Sequence, residues 1–218
     1  PTKLYYRVCK YPSTKDDDEF MELLAQGGYM IGAIASLLFP DAILIDEPDH
    51  GKAIELTQNY LREENVTLLE SAFESGGKFA RPDILVKKGS YFTLIEVKAK
   101  SFDPSKDTSF RSKKGDIKSK WQPYLEDVAF QALILRELFP EFLLTCELMM
   151  PDKTLSTSID KLYSLFALNQ ISEDDSGYLR ARFTFTGNID ELRQSHFLTR
   201  VNVDPEVEAL LPEVSQAS

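Results

Sequence analysis

The stretch Arg81-Pro82-Asp83-Ile84-Leu85-Val86, followed after a short gap by Leu94-Ile95-Glu96-Val97-Lys98, decides the fold of this 218-residue chain. Ile84 to Val86 is one apolar run with β-forming residues, and Tyr91 to Val97 is another. Between them, Lys87-Lys88-Gly89-Ser90 has the composition of a turn. The sequence therefore predicts a β-hairpin that carries Asp83, Glu96 and Lys98.

The length of the turn decides how the charged side chains meet. A two-residue loop at Gly89 and Ser90 places Asp83 directly opposite Glu96, with Cβ atoms about 5 Å apart on one face of the sheet. Lys98 shares that face because side chains alternate along a strand. A four-residue loop makes Asp83 diagonal to Glu96, still within reach of one ion. Two carboxylates and a lysine are the set that metal-dependent phosphodiester hydrolysis needs.

The alternative interpretation of this hairpin is a solvated surface ladder of carboxylates and a lysine. The apolar flanks and Pro82 argue against it. Pro-Asp followed by Glu-Val-Lys resembles the PD-(D/E)xK nuclease superfamily, and the segment from Tyr124 to Leu135 resembles the helix that follows the lysine in its RecB-like branch. That branch carries Gln-x-x-x-Tyr there, whereas this chain has Gln131 and Leu135.

Two upstream segments, Gly28 to Pro40 and Leu68 to Phe73, resemble a bacterial family of RecB-like domains. The resemblance runs from about Phe20 to Met150. It implies an α/β fold with a restriction-endonuclease-like core, a mixed β-sheet flanked by helices. An N-terminal helical region and a small C-terminal α+β extension complete the predicted fold.

The resemblance also assigns roles to the hairpin residues. Asp83 and Glu96, with the carbonyl of Val97, are expected to hold Mg²⁺ or Mn²⁺, and Lys98 is expected to assist cleavage. Gln131 is expected to orient a phosphate or Lys98. Glu70, a charged residue on an apolar strand, is expected to contact the metal or a metal-bound water, or else to form a structural salt bridge.

The net charge of −10 argues at first against a nucleic-acid partner. Residues 98 to 120, however, hold eight basic and three acidic residues, a local charge of +5. This pattern predicts a mobile, polar, basic loop that meets a phosphate backbone, or alternatively an ordinary solvated loop. The expected nucleic-acid-binding residues are Lys100, Lys106, Arg111, Lys113, Lys114, Lys118 and Lys120. Asp127, on the next helix, is expected to be a solvated surface residue.

Composition limits the class of protein. No apolar run reaches the roughly 18 residues that a membrane span needs, and Pro1 to Val8 has no signal-peptide character. The two cysteines, Cys9 and Cys146, are expected to be buried, and they are too few for the four-cysteine iron–sulfur cluster of some RecB-like nucleases. We therefore expect a cytoplasmic protein with no membrane association and no iron–sulfur cluster.

The chain is expected to form one domain. Residues 1–150 would hold the nuclease-like core with N-terminal helices, and residues 151–218 would be an extension of that domain. Within the extension the pattern predicts a helix at 159–168, a strand at 178–185 and a short helix at 204–211. The last residues resemble the start of a linker, so further domains could follow.

Together these observations predict a metal-dependent nuclease. The expected partner is nucleic acid, with DNA favoured over RNA, and the expected action is on single strands or from strand ends. The alternative is a catalytically inactive module with the nuclease fold that binds nucleic acid or another partner.

Overall fold

The computed structural model describes residues 19–106, 110–173 and 179–217. Within these ranges the chain forms a mixed α/β fold, with a central mixed sheet flanked by helices. This is the restriction-endonuclease-like arrangement that the sequence predicts. Residues 1–18, which include Cys9 and the first part of the predicted N-terminal helical region, lie outside the described residues.

Among the described residues the central sheet has six strands, whose bounds are β1 Ile43–Leu44, β2 Asn65–Leu69, β5 Ile84–Lys88, β6 Tyr91–Val97, β7 Leu143–Pro151 and β10 Leu198–Asn202. Their order across the sheet is β1-β2-β5-β6-β7-β10. The pairs β1–β2 and β6–β7 are parallel, and the other neighbours are antiparallel. The segment after Met150 therefore contributes an edge strand to the main sheet.

The predicted hairpin is β5–β6, and its register is the one that a two-residue loop gives. Lys88 pairs with Tyr91, and Ile84 pairs with Ile95. Gly89 has a φ of 56°, a left-handed conformation that glycine adopts without steric cost. This register is confirmed, and the four-residue loop is excluded.

In the part of the chain that the structure describes, five α-helices surround the sheet: α1 Glu19–Leu37, α2 His50–Tyr60, α3 Gln122–Leu138, α4 Ile189–Gln194 and α5 Asp204–Ala217. Side chains that alternate along the hairpin pack on opposite faces of the sheet, in two different hydrophobic cores. Leu85 and Leu94 pack in a cluster with α3 and α5, whereas Ile84 and Ile95 pack in a cluster with α1. Because Asp83, Glu96 and Lys98 follow the parity of Leu85 and Leu94, they belong to the α3 face.

Two small hairpins accompany the central sheet, β3 (Phe73–Ser75) with β4 (Lys78–Ala80), and β8 (Phe166–Glu173) with β9 (Leu179–Phe185). The helix predicted at 159–168 is wrong, since only a 3-10 turn forms at Leu162–Leu165 before β8 begins. Apolar residues at 159, 162 and 166 fit a helical period, but short runs do not distinguish helix from strand. Pairing with β9 stabilises residues 166–173 as a strand, and Phe166 packs on Phe185 with ring centroids 4.8 Å apart.

The last helix is longer than predicted. α5 continues to Ala217, and its residues Val207 and Leu210 join Val203 in the core beside α3. Cys146 of β7 lies in the same core and is buried, as predicted. In the three described ranges, no helix combines the length and the apolar composition needed to cross a bilayer.

Candidate active site

Asp83 and Glu96 lie at the end of the β5–β6 hairpin. Asp83 comes directly before β5, and its Oδ2 accepts a hydrogen bond of 2.7 Å from the backbone N–H of Val97. Glu96 is the penultimate residue of β6 and is buried. The bond to Val97 fixes the Asp83 side chain across the end of β6, next to Glu96.

Lys98 joins the hairpin to α3. Its Nζ lies 2.7 Å from Oε1 of Glu96 and 2.9 Å from Oδ2 of Asp127. Burial alone would lower the pKa of Lys98, but the carboxylates of Glu96 and Asp127 outweigh it and raise this pKa above its ordinary value. Lys98 is therefore an ammonium ion at neutral pH, which suits a cation beside a phosphate rather than a proton acceptor.

The sequence predicted that Asp127 is a solvated surface residue, and it did not predict the contact of Asp127 with Lys98. Its side chain is 56% exposed, as expected of a helix surface, and yet it is one of the two partners of Lys98. The signal that could have revealed it was its spacing of four residues from Gln131, which places both side chains on one face of α3.

Gln131 contacts Glu96 rather than Lys98. Its Nε2 donates a hydrogen bond of 2.8 Å to Oε2 of Glu96, and this bond is buried. Its Oε1 is also buried and has no hydrogen-bond partner among the described residues. Both carboxylate oxygens of Glu96 are thus engaged, one by Lys98 and the other by Gln131.

Glu70 approaches the cluster from β2. Its φ of 57° ends that strand in the left-handed region, where a residue other than glycine costs about 1–3 kcal/mol. Its backbone N–H donates to the carbonyl of Asp83 at 3.0 Å. Its Oε2 lies 3.6 Å from Nε of Arg81. The Nη2 of the same arginine donates hydrogen bonds to the carbonyls of Ile45 and Glu47. This ion pair is the salt bridge that the sequence named as the alternative to a metal contact.

The acidic cluster carries excess negative charge. Burial raises the pKa of Asp83 well above its usual range, and repulsion by Glu96 and Glu70 raises it further. The bond from Val97 and the charge of Lys98 act in the opposite direction without cancelling the rise. A cation beside Asp83 would relieve this repulsion.

The residues present fit a magnesium-type ion. Among the described residues, no three acidic, histidine or cysteine side chains converge into a complete metal cage. Mg²⁺ does not need one, because it binds through one or two carboxylates and completes its shell with water and substrate phosphate. Asp83 and Glu96 supply those two carboxylates.

Two cavities meet at this cluster and share Glu70, Asp83, Glu96 and Lys98 as lining residues. The larger, of about 510 Å³, extends under α1 and β9, and we call it the α1 cavity. The smaller, of about 370 Å³, extends toward Phe79, Phe130 and Gln131, and we call it the α3 cavity. The sequence indicated the shared charged residues but not the walls, since β9 and α1 are far from the hairpin in the chain.

The described parts of the basic segment, residues 98–106 and 110–120, are attached to the core through aromatic side chains. Phe102 and Phe110 are buried and pack around Trp121, with ring centroids 6.2 Å and 5.2 Å from its ring. Phe102 also exchanges backbone hydrogen bonds with Pro151 and Lys153. The prediction for this segment rested on its many charged residues and did not include the two phenylalanines that attach it to the core. Residues 107–109 lie outside the described part of the chain.

Some cations of this segment are held by contacts within the protein, and others are exposed to solvent. Arg111 is engaged within the protein, since it contacts Glu206 at 3.2 Å and the carbonyls of Gly115 and Pro205. The Nζ of Lys100 lies about 5 Å from the rings of Trp121 and Tyr124, close to Lys98. Lys106, paired with Asp103 at 3.2 Å, is exposed, and so are Lys113, Lys114 and Lys120, whereas Lys118 is half-buried.

Comparisons with family models and with curated proteins give no match. Among solved structures, an alkaline exonuclease from Laribacter hongkongensis is similar over 77% of this chain, with 17% sequence identity and a TM-score of 0.26. The match covers 66% of that exonuclease, slightly less than two thirds of its length. A similarity of this size carries no argument about activity.

Proposed function

We propose that this chain is a metal-dependent nuclease of the RecB-like branch of the PD-(D/E)xK superfamily, which hydrolyses phosphodiester bonds of DNA. One observation carries the proposal. Asp83, Glu96 and Lys98, which the resemblance marks as the reacting set, converge where two cavities meet. The order Pro-Asp, Glu-Val-Lys and Gln along the chain supports the RecB-like assignment.

Asp83 and Glu96, with the carbonyl of Val97, would hold Mg²⁺ or Mn²⁺. When bound, such an ion polarises a phosphate oxygen and lowers the pKa of a water molecule. Glu70 would support this site from its place beside Asp83, because its carboxylate already acts on the pKa of Asp83. The raised pKa of Asp83, caused first by burial and then by the charges of Glu96 and Glu70, is consistent with this assignment, because a bound cation would offset all three effects.

Lys98 would neutralise the charge that develops on the phosphate during hydrolysis. Asp127 would act as a positioning residue, since it offers the ammonium a second partner 2.9 Å away when Glu96 turns to a metal. Gln131 would hold the orientation of Glu96 through its buried amide.

The proposed nucleic-acid path leads from the site onto the basic segment. Lys100 lies over the same Tyr124 ring as Lys98, and the exposed Lys113 and Lys114 extend the positive charge along the segment. The rest of the chain is acidic, and it would repel duplex laid broadly over the surface. We therefore propose that single strands or strand ends are the preferred substrates.

A second candidate is a nuclease-fold module that binds without turnover. The observation in its favour is that both Glu96 oxygens already have partners within the protein, so that a metal must compete with Lys98. Leu135, buried in the core where the RecB-like branch has tyrosine, points the same way.

The test is Mn²⁺ binding and cleavage by the same preparations. Calorimetric titration of Mn²⁺ should give binding to the parent protein and much weaker binding to Asp83→Ala and to Glu96→Ala. Glu55→Gln, an exposed acid on α2, is the matched control and should bind like the parent. Unchanged affinity in either alanine variant would contradict the metal assignment. Mn²⁺ binding without cleavage of single-stranded or duplex DNA would favour the inactive module.

A further inference from the structure

The α1 cavity has a wall that the proposed hydrolysis does not use. Gly28, Gly32 and Ser36 are spaced by four residues and therefore lie on one face of α1. All three line the cavity. Ser36 Oγ bonds back to the carbonyl of Gly32 at 2.9 Å, so it keeps its polar group within the helix.

The two glycines of this face are not explained by helix packing. A Cβ added at Gly28 or Gly32 would meet no atom within 4 Å. Glycine in a helix interior costs roughly 1 kcal/mol relative to alanine, and among the described residues no element packs closely enough against Gly28 or Gly32 to need the space. The glycines instead keep an open volume next to the acidic cluster.

The remaining walls of the α1 cavity combine aromatic, apolar and cationic groups. Tyr29 and Phe183 contribute rings, and Leu69 and Ile84 contribute apolar surface. Arg182 lies at the rim, held by an ion pair of 2.5 Å with Asp46. A volume of about 510 Å³ lies within the roughly 300–1,000 Å³ of small-ligand pockets.

We propose that the α1 cavity is a nucleoside subsite, which takes the base and sugar attached to one side of the cleaved phosphate. This inference rests on the proposed nuclease function, because it places the phosphate on Asp83, Glu96 and Lys98. A nucleotide has an apolar, stackable base and a charged phosphate, and the cavity offers an apolar, aromatic wall beside a charged end. The α3 cavity, with Phe79 and Phe130, lies on the opposite side of the same charged residues and receives the nucleoside on the other side of the phosphate.

The experiment fills the α1 cavity without disturbing the fold. Gly32→Leu places a side chain in the open volume, and it should not lower stability, because leucine is the better helix former. Gly27→Leu is the matched control, since Gly27 is on the same helix, is exposed, has no atom within 4 Å of an added Cβ and does not line the cavity.

The probe is a dinucleoside monophosphate with 2-aminopurine as one base. Its binding is measured by fluorescence quenching in the presence of Ca²⁺, and its hydrolysis is measured separately in the presence of Mn²⁺. Both isomers are used, with the fluorescent base on the 5′ or the 3′ side of the phosphate. The parent and Gly27→Leu should quench one isomer more strongly than the other. Gly32→Leu should bind about tenfold more weakly, the size expected when one base no longer stacks on an aromatic ring.

The outcomes separate the two proposals. Quenching that requires about tenfold more protein in Gly32→Leu and is unchanged in Gly27→Leu supports the subsite, and it does so even if Mn²⁺ produces no hydrolysis, in which case only the nuclease proposal fails. Absence of quenching in the parent, or equal binding by the two leucine variants, overturns the subsite whether or not DNA is cleaved.

Discussion

Gln131 donates a buried hydrogen bond of 2.8 Å to Oε2 of Glu96, so that α3 and β6 are joined at the acidic cluster by one amide. A carboxylate buried in a protein is costly unless hydrogen bonds satisfy it. Gln131 supplies that bond from one side, and Lys98 supplies the opposite charge from the other. The glutamine thus has a structural role that holds with or without catalysis.

Replacement of Gln131 by leucine should therefore reduce stability. The substitution preserves size but leaves Oε2 of Glu96 without its donor, which should cost about 1–3 kcal/mol. Urea unfolding measures this change. Gln122→Leu, on the same helix, removes an exposed bond of 2.9 Å to Glu126 and should change stability by less than about 0.5 kcal/mol. Equal effects of the two substitutions would contradict the role given to Gln131.

Lys98→Met should separate binding from turnover. The variant keeps the aliphatic stem and frees Oε1 of Glu96, so Mn²⁺ should bind at least as tightly as to the parent. Turnover should fall about 100-fold or more, as when one group that stabilises a transition state is removed. Calorimetry and single-turnover cleavage measure the two effects. Cleavage at the parent rate would show that Lys98 is structural.

Asp127→Asn should lower kcat without changing KM. Asp127 is exposed, and ion pairs of that kind contribute about 0.2–1 kcal/mol, which corresponds to an effect of roughly 1.4-fold to fivefold. Because the role proposed for Lys98 is to neutralise the developing charge, the loss should appear in kcat. The control is Glu126→Gln, the neighbouring exposed acid on α3, which should leave both constants unchanged. A rise in KM alone would assign Asp127 to substrate binding instead.

Asp83→Asn should stabilise the metal-free protein at neutral pH. The pKa of Asp83 is raised in the folded state. The contribution of its protonated carboxyl to stability is therefore complete below the unfolded-state pKa of about 3.9, and it is lost as the pH rises through the folded-state pKa. Asparagine carries no charge and can still accept the bond from Val97. A gain of about 1 kcal/mol would raise Tm by about 2–4 °C.

Two comparisons check this prediction for Asp83. The difference in Tm between the variant and the parent should shrink as the pH is lowered toward about 4, where the parent carboxyl is protonated as well. Added Mn²⁺ should raise the Tm of the parent, because it binds the folded state, and it should not raise the Tm of Asp83→Asn. A variant less stable than the parent at neutral pH would contradict the charge excess.

The hairpin could be predicted from the sequence because local signals determine it. Gly89 sets the turn, and the parity of side chains then places Asp83, Glu96 and Lys98 on one face. The helix that carries Gln131 is long and amphipathic, and its existence was equally clear. These elements need only short-range information.

Non-local contacts account for what the sequence did not predict. The strand at Phe166–Glu173 depends on pairing with a partner further along the chain, and its apolar spacing also fits a helix. The basic segment is anchored by Phe102 and Phe110, whose partner Trp121 follows only after many charged residues. The α1 cavity combines α1 with β9, and no local pattern joins residues 32 and 183.

The basic segment should carry the salt-dependent part of nucleic-acid binding. Neutralising Lys113, Lys114 and Lys118 to glutamine should weaken binding to all sequences alike, since groups that bind phosphate read no bases. The slope of log K against log salt should flatten by about 0.7–0.9 for each phosphate that a lysine no longer neutralises. The control changes three exposed lysines outside the segment, Lys52, Lys88 and Lys153, and should leave the slope unchanged. Arg111 is left intact because it holds α5.

The negative charge of the rest of the chain should also favour strand ends. A duplex laid across the protein meets the repulsion of a chain with a net charge of −10, whereas a single strand threaded past Lys100 into the site meets mainly the basic segment. End-labelled linear DNA incubated with Mn²⁺ should therefore disappear faster than covalently closed circular DNA of the same sequence. Single-stranded linear DNA should be degraded faster than duplex. Equal loss of the linear and the circular form would contradict end-dependent action and leave the metal-dependent hydrolysis at Asp83 and Glu96 intact.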